Sequence, residues 1–328
     1  MKAGIDDGGA VLLGGNIACD AHADRRYRVV THIHADHLRG LKKSMSSCKG
    51  VIMTSATEEI LGVLKGPFSN GKILTPEYGE TLELDDERIT LRDAGHIIGS
   101  AQVLVEDEEG IRLAYTGDFR LPKAEVIPAD VLVIEATYGN PGHSRPFRDT
   151  IDGKLATLVR ASLEEGKPVD IYGYHGKLQE ALSILRTKGI EEPAVMSKRI
   201  HTISKITERH GMNLGNYFSM EDDEAGEIVG NGSEHIFLHH MTSKRKFHGR
   251  GTRILLSGWQ FSEPVVQRAP GEYVIALSSH SDFNGLIEYV EESQPQVVIT
   301  DNYRVDNAGL LAMEITKRLD IPAYPMPF

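Results

Sequence analysis

Two features of extracellular and membrane proteins are missing from this chain of 328 residues. It has only two cysteines, Cys19 and Cys48, which are too few to build a disulfide framework. It also has no apolar run near the roughly 18 residues that a membrane-spanning helix needs. We therefore expect neither a disulfide-stabilised scaffold nor a protein that binds or crosses a membrane.

Basic residues are also fewer than acidic residues. The chain has 36 Lys and Arg against 47 Asp and Glu, a formal net charge of −11, which argues against a generally basic coat for nucleic acid but permits a local basic track. The first residues, MKAGIDDGG, lack the profile of a signal peptide, so we expect a soluble cytoplasmic protein. What is present is a globular composition, 40% hydrophobic and 25% charged, with enough length for one large domain or two.

The order of apolar runs predicts an α/β fold. Residues 10–20 and 131–139 each read as a strand, and the second is apolar enough to be covered on both faces. AQVLVE and IRLAYTGD predict a hairpin. Further along, apolar residues at helical spacing predict helices over 151–163 and 178–185, with the strand VDIYGY between them. This alternation is typical of a parallel α/β unit.

Histidine is concentrated in residues 31–37, THIHADH, directly after a predicted strand. Alternate residues of an extended segment point the same way, so His32 and His34 can bind one metal ion from one side. As the chain turns into the next helix, Asp36 and His37 are free to face a second ion. Imidazole and carboxylate suit zinc, or manganese or iron where oxygen ligands dominate. The alternative, a polar loop with histidines by chance, is the weaker interpretation of so dense a spacing.

The sequence here resembles the metallo-β-lactamase superfamily, whose HxHxDH signature these residues match position for position. The resemblance implies two later ligands, His96 in AGHIIGSAQ and Asp118 in YTGDFR, of which the aspartate bridges both metals. It also implies that Asp20 supports the metal-binding loop as a hydrogen-bond acceptor behind the ligands. The implied cofactors are two divalent metal ions, zinc in the first place and manganese as the alternative.

Later motifs resemble the β-CASP nucleases, which include the mRNA 3′-end processing factors, RNase J and Artemis-type repair enzymes. VLVIEATYG places Glu135 at an acidic motif at a strand end, and ALSSHSDFNGL places His280 where a histidine faces the metals. YGYHGKLQEALSIL and ILLSGWQ resemble the segments that open and close an inserted cap.

The architecture that this resemblance implies is a metallo-β-lactamase αββα sandwich with an inserted β-CASP α/β cap. The sandwich would be formed by residues 1–141 and 273–328, and the cap by residues 142–272. A cap of this kind is suited to covering a long polymer.

One position departs from the family pattern. The strand QVVITDNYR has Asp301 or Asn302 where the RNA-directed members usually have a histidine. Asp301 is therefore a candidate ligand of the second metal through oxygen, which would weaken a preference for zinc. Artemis-type DNA nucleases also lack that histidine, whereas AGHIIGSA is closer to the RNA-processing and ligase-associated exonuclease branches.

The predicted reaction is cleavage of single-stranded nucleic acid, with RNA favoured over DNA, by a hydroxide that bridges the two metals and attacks phosphorus. The predicted ligands of one metal are His32, His34, His96 and Asp118. The predicted ligands of the other are Asp36, His37 and Asp118. His280, oriented by Glu135, is predicted to protonate the leaving oxygen, so the predicted catalytic side chains are Asp36, Glu135 and His280.

Substrate contacts are less sharply indicated. A basic cluster that can follow a phosphate backbone is formed by Lys244, Arg245, Lys246, His248, Arg250 and Arg253. A solvated basic loop accounts for that cluster equally well. His175 precedes a predicted helix, whose N-terminus a phosphate can approach. Trp259 and Phe261 are expected to pack in the core near the domain junction in preference to stacking on a base.

Three alternative functions stay open. The first is a DNA-processing exonuclease of the Artemis or ligase-associated type. The second is a small-molecule metallo-hydrolase similar to glyoxalase II, against which the inserted region argues. The third is a non-catalytic nucleic-acid-binding subunit, against which the full set of six metal ligands argues. The frequent dimers of the family also imply a homodimer.

Overall fold

A computed structural model describes residues 2–68, 71–230, 234–243 and 251–328. The chain divides into two compact units. The first consists of the residues up to Ser144 together with Ser279–Phe328, and the second is Arg145–Ser278. The predicted cap, residues 142–272, begins a few residues before Arg145 and ends a few residues before Ser278. Among the described residues, no helix is both long and apolar enough to cross a membrane.

Short strands dominate the first part of the chain. Its elements are β1 (Ala3–Ile5), β2 (Val11–Leu13), β3 (Ile17–Cys19), β4 (Tyr27–Val29), α1 (Leu41–Ser47), β5 (Gly50–Ile52), α2 (Ser55–Lys65), β6 (Ile73–Leu74), β7 (Thr81–Leu84), β8 (Glu87–Asp93), β9 (Ala101–Asp107), β10 (Arg112–Tyr115) and β11 (Val131–Ile134). The predicted hairpin is confirmed as β9 and β10, which pair antiparallel. Residues 10–20 form two antiparallel strands instead of one, because Gly14, with φ +61°, turns the chain between them.

Strands and helices alternate in the middle of the chain, as predicted. The elements are α3 (Ile151–Glu164), β12 (Val169–Gly173), α4 (Lys177–Thr187), β13 (Ala194–Met196), α5 (Lys198–Arg209), β14 (Tyr217–Ser219), α6 (Asp223–Gly230), β15 (Ile236–His240), β16 (Thr252–Leu256), β17 (Val265–Ala269) and β18 (Glu272–Ile275). The chain ends with α7 (Phe283–Ser293), β19 (Val297–Asp301), α8 (Ala308–Leu319) and β20 (Ala323–Met326).

The first unit contains two sheets whose apolar faces share one core. One sheet has the strand order β1-β2-β3-β4-β5-β6, and the other has the order β20-β19-β11-β10-β9-β8-β7. Val29 of the first sheet and Val133 of the second lie in the same buried cluster. Leu132 and Ile134 point to the opposite face of the second sheet, where helices α7 and α8 cover them. Strand β11 is therefore buried on both faces, as its apolar sequence predicts.

The second unit is built around a third sheet, with the order β14-β13-β15-β12-β16-β18-β17. Neighbouring strands run parallel except for the pair β17 and β18. Helices α3 and α4 bury Leu155, Val159 and Leu182 against the sheet residues Ile171 and Ile254. The predicted α/β class is thus observed in both units.

Candidate metal centre

The four predicted ligands of the first metal converge at the carboxyl ends of strands in the first unit. His32 and His34 follow β4, His96 follows β8 and Asp118 follows β10. One ligand atom from each lies within 4.8 Å of the others. Nδ1 of His34 is 3.1 Å from Nε2 of His32 and 3.2 Å from Nε2 of His96, and Oδ2 of Asp118 is 3.4 Å from Nε2 of His32. Residues far apart in the chain thus form one donor set.

The outer nitrogens of these imidazoles help to define which nitrogen faces the cluster. Nδ1 of His96 donates to the carbonyl oxygen of Ser279 at 2.9 Å, which leaves Nε2 with a free lone pair. Nδ1 of His32 is 3.1 Å from the hydroxyl of Thr31. Burial lowers the pKa values of His32, His34 and His96, so all three rings are neutral near pH 7. Three neutral imidazoles and one carboxylate are a donor set that zinc accepts.

Buried nitrogens without partners mark the same place. Among the described residues, Nε2 of His34 and Nε2 of His37 are buried and have no hydrogen-bond partner. Nε2 of His37 lies 3.4 Å from Oδ1 of Asp118 and 3.5 Å from Oδ2 of Asp36. Leaving such an atom unsatisfied costs about 1–3 kcal/mol. A cation that accepts the lone pair and attracts both carboxylates removes this cost, so these residues fit a metal centre.

Asp20 connects the metal-binding segment to the strand behind it. Its Oδ1 accepts the backbone N–H of Thr31 at 2.9 Å, and its Oδ2 accepts the Thr31 hydroxyl at 2.8 Å and lies 2.7 Å from Nδ1 of His37. Burial raises the pKa of Asp20, but the charge and hydrogen bond of His37 outweigh burial and hold the pKa below its usual range. The resulting carboxylate keeps a proton on Nδ1 of His37 and directs Nε2 toward Asp36 and Asp118.

His280 stands beside the donor set and is held by Glu135. Nδ1 of His280 is 3.0 Å from Oε2 of Glu135, whose Oε1 accepts the backbone N–H of Phe119 at 2.8 Å. Nε2 of His280 is 4.0 Å from Oδ2 of Asp118. Asp282 caps helix α7 immediately afterwards and so fixes the backbone on that side. The carboxylate therefore orients the ring with its second nitrogen on the side of Asp118.

The chain is similar to several known proteins. No family model matches the chain. It is 39% identical over 137 residues to an uncharacterized protein in the lig 3′ region of Acidianus ambivalens, covering 41% of this chain and 97% of that protein. It is 29% identical over 297 residues to a probable DNA ligase of Opitutus terrae, covering 86% of this chain and 27% of the ligase. It is 27% identical over 276 residues to a ribonuclease of Thermus thermophilus, covering 76% of this chain and 60% of the ribonuclease.

The ribonuclease relative and the converging ligands together decide the family. The chain belongs to the β-CASP family of metallo-β-lactamase nucleases. It spans less than two thirds of the length of the ligase and of the ribonuclease. A crystal structure of a protein of unknown function from Enterococcus faecalis shares the fold, with a TM-score of 0.58 and 13% identity over 85% of this chain and 76% of that one.

In this β-CASP protein, some of the side chains described above line a pocket of about 160 Å³, here called the metal pocket. Its walls include His34, His280 and four carboxylates, those of Asp36, Asp118, Glu135 and Asp301. Among the described residues that line it, Arg304 is the one Lys or Arg. Four carboxylates would repel a phosphodiester, so the charge balance of the pocket also calls for bound cations.

Asp301, the predicted replacement for the family histidine, is already engaged. Its Oδ2 accepts a hydrogen bond from Nη1 of Arg304 at 2.5 Å, and its Oδ1 accepts the backbone N–H groups of Tyr303 and Arg304 at 2.9 and 3.3 Å. Burial raises the pKa of Asp301, although Arg304 opposes this shift. The sequence analysis did not name Arg304. The available signal was a basic residue three positions after Asp301, where the sequence departs from the family pattern.

The predicted substrate contacts lie in the second unit or outside the described residues. Lys244, Arg245, Lys246, His248 and Arg250 fall outside the described residues. Arg253 lies on β16, where its guanidinium stands 4.6 Å from the centre of the Tyr172 ring. His175 lies between β12 and α4, with its ring centre 4.7 Å from that of His240.

The expectation that Trp259 packs in the core is wrong. Trp259 is 60% exposed. It lies in the loop between β16 and β17, where Phe261 is partly buried and the guanidinium of Arg145 stands 4.4 Å from the centre of the Phe261 ring. The aromatic composition of the segment favoured burial, but its position between two strands leaves the indole at the surface of the unit.

Proposed function

We propose that this protein is a metal-dependent nuclease that hydrolyses phosphodiester bonds of single-stranded nucleic acid, RNA in preference to DNA. The observation that carries the proposal is the convergence of three histidines and Asp118 beside the pair of His280 with Glu135. The similarity to a ribonuclease of Thermus thermophilus supports the preference for RNA. The fold we propose for the first unit is the αββα sandwich, with the second unit as its inserted β-CASP cap.

The chain's residues would hold two divalent ions, with zinc proposed first and manganese as the alternative. His32, His34, His96 and Asp118 would hold one ion. Asp36, His37 and Asp118 would hold the other. When bound, such ions activate water as a nucleophile and neutralise charge on a phosphate.

The remaining steps belong to protein side chains. Glu135 accepts a hydrogen bond from Nδ1 of His280 and stabilises the charged form of the ring, so that Nε2 can carry a proton. His280 then gives this proton to the leaving oxygen when the P–O bond breaks. Asp20 fixes the orientation of His37 during this step. Arg304 lines the same pocket as His280.

The test uses labelled single-stranded RNA and DNA of the same sequence, each with free or blocked ends, incubated with wild type and Asp118→Asn. We expect metal-dependent cleavage by wild type, faster on RNA, and loss of cleavage with Asp118→Asn because that carboxylate belongs to both ligand sets. Binding without cleavage would instead favour a non-catalytic subunit, and hydrolysis of a thioester but of neither polymer would favour a small-molecule hydrolase.

A DNA-processing exonuclease is the second candidate, favoured by one observation. A segment of a probable DNA ligase aligns with 86% of this chain, and an enzyme that trims DNA ends would act before a ligase joins them. Faster cleavage of DNA than of RNA, abolished by blocking one end, would select this candidate. The cytoplasmic location and the homodimer stay predictions.

A further inference from the structure

Arg304 is fixed in the wall of the metal pocket by contacts with the nearby Asp301 and with the distant Gly9. It lies three residues after the end of β19, and its side chain is 6% exposed. Nη1 donates to Oδ2 of Asp301 at 2.5 Å, and Nη2 donates to the carbonyl oxygen of Gly9 at 2.9 Å. A guanidinium held at both terminal nitrogens has lost most of its rotational freedom before any ligand arrives.

One donor of this guanidinium has no acceptor. Within residues 2–68, 71–230, 234–243 and 251–328, Nε of Arg304 is buried and makes no hydrogen bond. Buried donors in folded proteins nearly always have a partner, so an exception in the wall of a binding pocket points to a ligand oxygen. The positive charge and planar donor array of arginine match the oxygens of a phosphate better than those of a neutral ligand.

The lining of the metal pocket indicates the ligand. Arg304 lines the pocket together with the predicted metal ligands Asp36 and Asp118 and the predicted acid His280. The phosphate that is cut must lie beside these groups. A guanidinium in this wall therefore lies where the reacting phosphate of the polymer binds.

We propose that Arg304 binds the substrate phosphate in the metal pocket, and that Asp301 positions this guanidinium instead of ligating a metal ion. The inference rests on the nuclease function proposed above. The three hydrogen bonds to Asp301, from Nη1 of Arg304 and from two backbone N–H groups, occupy both carboxylate oxygens. A metal ion would have to compete with them. Arg304 is then a phosphate-binding residue and Asp301 a positioning residue.

The two roles of Asp301 are separated by measuring metal content and phosphate binding on the same variants. The variants are Asp301→Asn, Arg304→Lys, Arg304→Met and the double variant Arg304→Met with Asp301→Asn. The double variant removes both charges, so that no buried carboxylate is left without its partner if Arg304→Met alone fails to fold. Arg318→Met is the matched control, because Arg318 pairs with Glu314 on α8 and does not line the metal pocket.

The probe is inorganic phosphate, titrated into the metal-loaded protein by calorimetry and used as a competitive inhibitor of cleavage. We expect the phosphate Kd to rise by about 10- to 100-fold in Arg304→Met and in the double variant, which corresponds to the loss of a hydrogen bond to a charged group. Arg304→Lys should lie between these variants and wild type. Asp301→Asn should raise the Kd less. Elemental analysis should find the wild-type metal content in every variant.

Three results would overturn the inference. They are a phosphate Kd in the double variant equal to that of Arg318→Met, a loss of one metal ion per chain in Asp301→Asn, and an absence of phosphate binding by metal-loaded wild type. None of these depends on cleavage. Failure of wild type to cut any polymer would refute the nuclease proposal separately, while the phosphate and metal measurements would still decide the role of Arg304.

Discussion

The proton on His37 is controlled by a carboxylate that one substitution can remove. Asp20→Asn keeps the size of the side chain but replaces one acceptor oxygen with an amino group that donates. If that group faces His37, Nδ1 must become the acceptor and the ring proton moves to Nε2. If it faces Thr31 instead, it meets a backbone N–H at the position where Oδ1 now accepts one at 2.9 Å. Both orientations damage the support of the metal-binding segment.

The expected effect is largest at the second metal. A proton on Nε2 of His37 blocks the atom that faces Asp36 and Asp118. Loss of a carboxylate behind a metal-binding histidine lowers metal affinity by about 10- to 100-fold, or about 1.4–2.7 kcal/mol. The hydrogen bond at 2.7 Å between two fully buried groups contributes to stability as well, and its loss should lower the free energy of unfolding by about 1.5–3 kcal/mol.

The assay is the metal content per chain after dialysis against increasing concentrations of chelator. Asp20→Asn should release one ion at a chelator concentration at which wild type retains it, and should retain the ion held by His32, His34 and His96. Asp130→Asn is the matched control, because this carboxylate accepts hydrogen bonds from Arg112 and Gln296 beside the amino end of β11 and does not line the metal pocket. Equal retention of metal by Asp20→Asn and Asp130→Asn would refute the reasoning about the tautomer.

Three further outcomes are expected. His280→Ala should lower turnover by about 10²–10⁴-fold with unchanged metal content; elemental analysis that finds lost metal would contradict its role as the acid. Burial, with smaller contributions from His240 and Arg199, lowers the pKa of His175 from 6.5 to about 4, so the unfolded chain binds more protons between these values. The free energy of unfolding should therefore fall as pH decreases through this range, by up to about 1.4 kcal/mol per pH unit. Denaturant titrations should show a shallower fall with pH for His175→Gln than for wild type. Equal dependence of the two proteins on pH would show that His175 is not responsible. Gly9→Ala should lower the free energy of unfolding by about 1–3 kcal/mol, because φ is +82° and the new methyl would overlap the Tyr303 ring; a melting temperature equal to that of wild type would disprove this contact.

The ligands could be named from the sequence because their signals are local. THIHADH concentrates four ligand candidates in seven residues, and a short motif of this kind keeps its geometry wherever the strand before it is placed. His96 and Asp118 were named by resemblance, because a single histidine or aspartate at a strand end is weak evidence by itself. Glu135 and His280 were named by resemblance, and their separation of 3.0 Å could be read only from the structure. Their catalytic roles stay predictions.

Long-range contacts were beyond the sequence. Nothing in residues 6–10 indicates that the carbonyl of Gly9 accepts a hydrogen bond from Arg304, since 295 positions separate them. The exposure of Trp259 was missed for the same reason, because burial depends on which surfaces pack over a loop. Gly14 is a local signal for a turn, but the apolar residues on both sides of it led to the prediction of one continuous strand.

By itself, the sequence determined which atoms can bind metal: imidazoles and carboxylates at the ends of alternating strands. The tertiary structure alone decided how those atoms are used. It places a carboxylate behind His37, an acceptor carbonyl behind His96 and a guanidinium against Asp301. The physical reason is that chemical identity is a property of each residue, whereas protonation, orientation and free hydrogen-bonding capacity depend on neighbours that only folding brings within 3 Å.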